Sequence, residues 1–386
     1  MNQRAGIYIH IPFCERKCTY CNFNTTDFFG PLVERYVDAV SRELAYWGGR
    51  LPREVDTIYF GGGTPSITEA RHLATLVRTC REAFDVAPNS EITIEINPAT
   101  FSRERTDKWL DAGINRASVG VQSFIDRELV SLSRTHTAQD ARRTLNLLRE
   151  AGFDNISLDL IGGLPEQSLE DWEFNLGEAL TIGPEHLSLY MLDLKEGTQL
   201  YAQVNRGLRP RPDDDLAAEM YRMTCSAAEQ AGYEHYEISN FAGARTSQSA
   251  LISPFRSKHN LKYWTGAAFY GMGCGAHSYD RRSRWSNVLK TETYIDRIMS
   301  GDHAIAERRE LNEGDRAADA LMMGLRLKEG ISLTEFQSEY GVDVIERYAN
   351  ELPRLADAGL IEMSPERLAL TPAGRLLSNE VFVSFI

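Results

Sequence analysis

Residues His10–Asn24 read "HIPFCERKCTYCNFN" and carry cysteines at 14, 18 and 21. The run before them, "GIYIHI" (6–11), is β-branched and aromatic and reads as a strand. The cysteines therefore sit on a loop leaving the C-terminal end of that strand. C-x3-C-x2-C is a spacing that one tight loop can wrap around a corner of an iron–sulfur cubane. Such clusters ordinarily take four thiolates, so Cys14, Cys18 and Cys21 leave one iron open to a small molecule. The competing reading is zinc, which favours a second cysteine pair or a histidine pair far along the chain. The other cysteines, Cys80, Cys225 and Cys274, are scattered singly.

Working outward, short strand-like runs recur: "DTIYFGG" (56–62), "EITIEI" (91–96), "RASVGVQ" (116–122), "NISLDLI" (155–161) and "HLSLYML" (186–192). Stretches with helical periodicity follow them, such as 31–47, 68–84, 168–180 and 214–232. Six strand–helix units predict an α/β fold with parallel strands and right-handed crossovers. Six falls short of the eight in a closed barrel. Periodicity alone leaves an incomplete barrel and an open sheet as alternatives. In either, chemistry gathers at the C-terminal ends of the strands, where the cysteine loop, "GGGTPS" (61–66) and "GGLP" (162–165) all fall.

Beyond residue 232 the pattern weakens, and 311–386 reads as short helices plus a hairpin, "LIEMSPERLALT" (360–371). That order predicts a small, mainly α, winged-helix-like domain. Its 7 Lys/Arg against 13 Asp/Glu, net −6, would repel a nucleic-acid backbone. The division expected is 1–240 for the core, 241–310 for a connecting region and 311–386 for the C-terminal domain.

Composition sets outer bounds. Of 386 residues, 42% are hydrophobic, enough for a large core, and the net charge of −13 argues against a nucleic-acid or anionic-membrane surface. The N-terminus shows no secretory pattern, and no window approaches ~18 apolar residues. Unpaired cysteines fit a reducing compartment, so a cytoplasmic protein is expected.

The open iron suits S-adenosylmethionine, whose amino and carboxylate groups can occupy it. An electron from the reduced cluster then cleaves the sulfonium and gives a 5′-deoxyadenosyl radical. The cysteine loop resembles that of the radical S-adenosylmethionine superfamily. "YIHIPFCERKCTYC" (8–21) with "GGGTPS", "GVQSF" (120–124), "LSRTH" (132–136), "DLIGGLP" (159–165) and "LTPAGRLLSNEVF" (370–382) resembles, more narrowly, the oxygen-independent coproporphyrinogen III oxidases and their relatives. The resemblance implies an incomplete (β/α)6 barrel holding a 4Fe-4S cluster on Cys14, Cys18 and Cys21. It also implies S-adenosylmethionine contacts at Tyr8, Gly62, Gly63, Thr64 and Glu95. Tyr20, Gln122, Arg134 and Asp159 match contacts to a second molecule of the cofactor. For the glycine loop the residue-level alternative is an ordinary turn capped by Thr64 or Ser66. For Arg134 and Asp159 it is a structural ion pair.

Two features depart from the oxidases. They carry a further cysteine two residues past the third ligand, where Phe23 stands here. Residues 259–264, "HNLKYW", fit H-N-x-x-Y-W, and His277 follows thirteen residues after Trp264. Both features resemble the HemW-type haem chaperones. The resemblance implies haem held by His259, with His277 as fallback, and passage of haem to an acceptor protein, by resemblance a respiratory one. It implies a reductant such as a flavodoxin-like donor and at most peripheral membrane contact through the acceptor. The alternative to ligation is a packed, hydrogen-bonded His259. The segment "ARTSQSALISPFR" (244–256) reads as a lengthened loop before this motif.

Overall fold

The computed structural model describes residues 4–385 except 53, 99, 101 and 244–251. Most of the lengthened loop therefore lies outside the described residues.

Six parallel strands form the heart of the molecule: β1 (Ala5–Ile11), β2 (Glu54–Gly62), β3 (Asp85–Ile96), β4 (Arg116–Gln122), β5 (Ile156–Gly162) and β6 (His186–Met191). The main crossover helices are α1 (Gly30–Gly48), α2 (Ala70–Ala83), α3 (Arg103–Asp111), α4 (Ala138–Ala151) and α5 (Leu169–Ile182), with α6 (Asp214–Gln230) after β6. The architecture is the incomplete (β/α)6 barrel of the radical S-adenosylmethionine fold. Its strands are buried almost end to end, as expected where helices cover the sheet. Local chemistry fixes the helix ends. Thr137 with Asp140 and Ser168 with Asp171 form reciprocal capping boxes that start α4 and α5. Gly152 and Gly183 end them at positive φ, 107° and 62°, where a side chain is disfavoured.

The weakly periodic region adds more sheet than its sequence pattern announces. β7 (Tyr233–His235) and β8 (Asn240–Gly243) extend one edge beyond β6. α7 (Lys258–Trp264), the helix of the H-N-x-x-Y-W motif, leads into β9 (Phe269–Met272), which pairs parallel with β1 on its other side. β10 (His277–Tyr279), β11 (Ser283–Asn287) and β12 (Ile305–Glu310) continue antiparallel, giving a 12-stranded sheet. These strands are short, three to six residues each, which is why alternation in the sequence is faint.

The C-terminal residues build their own apolar core around Leu321, Leu325, Phe336, Leu352, Leu368 and Val381. Short helices pack there on a three-stranded antiparallel sheet of 331–332, 361–363 and 367–370. The hairpin expected at 360–371 is present, and Ile331–Ser332 adds the third strand.

Candidate cofactor-binding site

A cleft of about 410 Å³ opens at the C-terminal ends of the barrel strands and runs down the lumen. Eleven of the thirteen residues expected at the site line it: Cys14, Cys18, Cys21, Tyr20, Gly62, Gly63, Thr64, Glu95, Gln122, Arg134 and Asp159. Tyr8 and His259 do not.

The cysteine loop is pinned from both sides. Thr64 N donates to Phe13 O at 2.8 Å, and Gly63 N to Ile11 O at 2.8 Å. Cys14 Sγ lies 3.4 Å from Thr64 Oγ1. The glycines serve this contact. A Cβ on Gly63 would stand 2.7 Å from Pro12 O, and one on Gly62, at φ 113°, would strike His10 at 2.4 Å. So the triplet lets the end of β2 lie against the cysteine loop. Ser66 is not a cap: its hydroxyl meets Thr100 at 2.7 Å and accepts from Asn97 N. Thr64 makes no side-chain capping bond either.

Burial pushes the Cys14 thiol up to about 11 and raises that of Cys21. Iron must displace those protons, since the thiolate is the ligand. Among the described residues, no three His, Cys, Asp or Glu side chains converge on a point that one metal ion could share. A zinc site needs such convergence. A cubane gives each thiolate a different iron, and the three cysteines on one cleft wall fit that group.

The carboxylates have distinct settings. Glu95 accepts from Tyr59 OH at 2.9 Å and from Gly62 N at 3.0 Å. Burial pushes its carboxyl up to about 7, against the pull of those two bonds. Asp159 is pushed up to about 6 by burial, and Ser188, the charge of Arg116, Ser118 and Ser157 moderate the shift. Arg134 and Asp159 are not paired. Arg134 Nη2 donates to Asn97 Oδ1 and to Gly120 O, both at 2.7 Å, and Nη1 points at Cys18 Sγ at 3.6 Å. The structural ion pair is thereby set aside, and the guanidinium serves the cluster loop. Gln122 sits at a register shift between β4 and β5 with φ 68°, a strained conformation of the kind that collects at working sites.

The chain matches the radical SAM superfamily over residues 8–176 and the HemN C-terminal domain over 311–377. It is 36% identical over 384 residues to the heme chaperone HemW of Bacillus subtilis, covering 98% of both chains. It is 33% identical to the heme chaperone HemW of Escherichia coli, covering 99% of this chain and 98% of that one. The chain belongs to the HemW family. The solved structure of coproporphyrinogen III oxidase (HemN) from Escherichia coli superposes with a TM-score of 0.83 over 100% of this chain and 91% of that one. At 23% identity that likeness concerns the fold.

For a HemW-family chain, the placement of the H-N-x-x-Y-W motif bears directly on the two readings of His259. His259 is 1% exposed. Its Nδ1 lies 2.8 Å from Thr57 Oγ1, its Nε2 3.0 Å from Tyr263 OH, and its ring stacks on Tyr59 with centroids 5.1 Å apart. Burial holds its pKa down to about 3, so it is neutral. Both ring nitrogens are engaged by hydroxyls, so iron binding at His259 would have to displace one of them. The motif acts as a plug under the barrel: Glu91 accepts from the backbone N–H groups of Lys258 and His259, both at 3.1 Å. Asn260, by contrast, faces the cleft. The fallback His277 is exposed at the start of β10.

Tyr8 lies behind the wall, its hydroxyl 3.1 Å from His10 Nδ1 and its ring centroid 6.1 Å from that of Tyr59 and 6.4 Å from that of His259. His136 is buried on Asn97 and the Val121 carbonyl. Cleft residues that the sequence reading passed over include Arg116, Ser118, Ser188 and Asn260. Alternation in "RASVGVQ" puts 116, 118, 120 and 122 on one face, a signal that was there to use.

Proposed function

We propose that this protein is a haem chaperone that carries a 4Fe-4S cluster and S-adenosylmethionine and passes haem to an acceptor protein. The observation that carries the reading is Phe23, 59% exposed at the rim of the cleft, where the oxidases have a further cysteine. Whole-length similarity to heme chaperones supports it.

In this reading Cys14, Cys18 and Cys21 hold the cluster, which when reduced supplies the electron that cleaves the cofactor's sulfonium. Gly62, Gly63 and Thr64 position the cofactor's methionine end. Glu95 receives an amine or ribose hydroxyls, and Tyr20, Gln122, Arg134 and Asp159 close the other side. Most of these groups are half-buried, which strengthens each polar contact relative to open water. The units proposed are 1–240 for the barrel core, 241–310 for the connecting region and 311–386 for the C-terminal domain, with β8 (Asn240–Gly243) running across the first boundary. Acceptor, reductant and a cytoplasmic location complete the proposal. No helix among the described residues is long and apolar enough to cross a membrane.

Of the two candidate ligands, His277 is accessible as folded, whereas His259 must first surrender Thr57 or Tyr263. Haemin titration of the anaerobically reconstituted protein, followed at the Soret band, tests the reading. Saturation near one haem per chain is expected, with His277→Ala and His259→Ala showing which side chain sets the spectrum. Unsaturable, weak uptake would overturn the chaperone.

The oxidase reading draws on Gln122, Arg134 and Asp159 standing together in the cleft. An anaerobic reaction with coproporphyrinogen III decides it: a vinyl-bearing product would restore it.

A further inference from the structure

Arg116 is a cleft side chain whose guanidinium makes no contact ion pair or hydrogen bond among the described residues, although its charge reaches Asp159 and helps hold that carboxyl down. It opens β4, is 2% exposed and lines the lumen. Its Nε is buried without a partner, and no ion pair or side-chain hydrogen bond among the described residues involves its guanidinium. The other charged groups at this depth are provided for. Glu95 has Tyr59 and Gly62, Asp159 has its serines, and Arg134 has Asn97 and Gly120. A buried guanidinium whose donors lack an acceptor is unfavourable, because burial strips its water and a counter-charge at a distance does not replace those hydrogen bonds.

Position gives the site its meaning. Arg116, Ser118, Gly120 and Gln122 all line the cleft. At about 3.3 Å per residue, Arg116 stands roughly 20 Å down the strand from Gln122. Ser118 pairs in register with Glu95, so Arg116 lies two residues deeper than the carboxylate assigned to S-adenosylmethionine. Ser188 and the amide of Asn260, which has no side-chain partner among the described residues, line the same cleft. The motif's asparagine thereby gains a role, because His259, locked by Thr57 and Tyr263, anchors the helix that presents it.

We propose that Arg116, with Asn260 lining the same lumen, is a carboxylate seat at the floor of the cleft for the molecule that occupies the lumen beyond the cluster. The planar guanidinium fork matches a carboxylate bidentately. A bound sulfonium above adds positive charge to the cleft and favours an anion below it. Two ligands bring this chemistry: a tetrapyrrole propionate, or the amino-acid carboxylate of a second S-adenosylmethionine. The first source rests on the haem reading above; the second does not.

The test uses full-length, anaerobically reconstituted protein. Haemin and haemin dimethyl ester are titrated side by side, and S-adenosylmethionine stoichiometry is measured by equilibrium dialysis. Arg116→Gln, Arg116→Lys and Asn260→Asp follow, each checked for iron content. If the propionate is seated, wild type prefers free haemin over the ester by about tenfold or more, as a charged hydrogen bond gives. Arg116→Gln then erases that preference, and Asn260→Asp weakens free haemin alone. If the amino acid is seated, the ester makes no difference. Wild type and Arg116→Lys then hold a second S-adenosylmethionine that Arg116→Gln and Asn260→Asp lose. Should wild type bind no haemin at all, the chaperone reading fails and the dialysis arm alone judges the seat. Indifference to esterification together with unchanged S-adenosylmethionine stoichiometry in Arg116→Gln overturns the seat. If Arg116→Gln does not fold, the same comparison between wild type and Asn260→Asp decides for or against it.

Discussion

Oγ1 of Thr57 and Nδ1 of His259 lie 2.8 Å apart in the interior, tying β2 to the helix of the H-N-x-x-Y-W motif. A buried polar group that loses its partner costs about 1–3 kcal/mol. Thr57→Val should therefore lower stability by about that much, read as the urea midpoint of the reconstituted protein. The same variant separates the two haem ligands. With Nδ1 released, haemin should bind more tightly if His259 is the ligand and equally well if His277 is. An unmoved midpoint would show that the bond contributes nothing.

The pH dependence of folding has two opposed sides. His259 is held down to about 3, and His136 and His235 to about 4, in each case by burial first. Unfolded histidine titrates near 6.5, so below that pH the unfolded chain binds more protons. Their contribution is present above about 6.5 and is lost as pH falls toward 4 and 3. Each such group adds up to about 1.4 kcal/mol per pH unit. Glu43 runs the other way. It accepts from Tyr294 OH, Gly273 N and Asn287 Nδ2, and burial pushes it up to about 7. Its contribution is present below about 4.5 and is lost as pH rises through 7. Urea midpoints from pH 4.5 to 8 should show this. Glu43→Gln should remove a falling component between about 4.5 and 7, so that stability rises more steeply with pH across that window, and should leave the slope above about 7 unchanged; curves parallel to wild type from about pH 4.5 to 7 would discard the assignment.

Much of this was legible in the sequence because period and punctuation carry it. The βα alternation announced the barrel, and the glycine and cysteine loops marked the right end of it. What was hidden depended on contacts distant in sequence. Nothing in "HNLKYW" states that Thr57, 202 residues away, takes one face of His259. The strand Phe269–Met272 is four residues long, too short for alternation to register, yet it pairs with β1. Nor does the triplet state that a side chain at Gly63, which lines the cleft, would meet the Pro12–Phe13 backbone.

That last contact makes Gly63→Ala a sharp probe. The added methyl would press on Pro12 at 2.7 Å and Phe13 O at 2.8 Å, backbone atoms that cannot swing away. Overpacking of this kind costs about 1–3 kcal/mol. The strain falls on the loop between Ile11 and Cys14. Iron content after reconstitution should therefore drop well below that of wild type, with the far-ultraviolet circular dichroism kept. Full iron loading with weakened S-adenosylmethionine binding would instead mean that the glycine serves the cofactor.

Arg134 places a permanent cation 3.6 Å from Cys18 Sγ and is held there by Asn97 and Gly120. Hydrogen bonds and charge at the sulfur ligands help set a cluster's potential. Reduction adds negative charge, which a nearby guanidinium stabilises. Arg134→Gln should therefore lower the reduction potential, followed by paramagnetic resonance in an anaerobic redox titration. Arg134→Lys keeps the charge but cannot span Asn97, Gly120 and Cys18 together, because an ammonium lacks the fork. Its potential should fall between the two. Equal potentials in wild type and Arg134→Gln, at equal iron content, would confine Arg134 to bracing Asn97 and the Gly120 carbonyl.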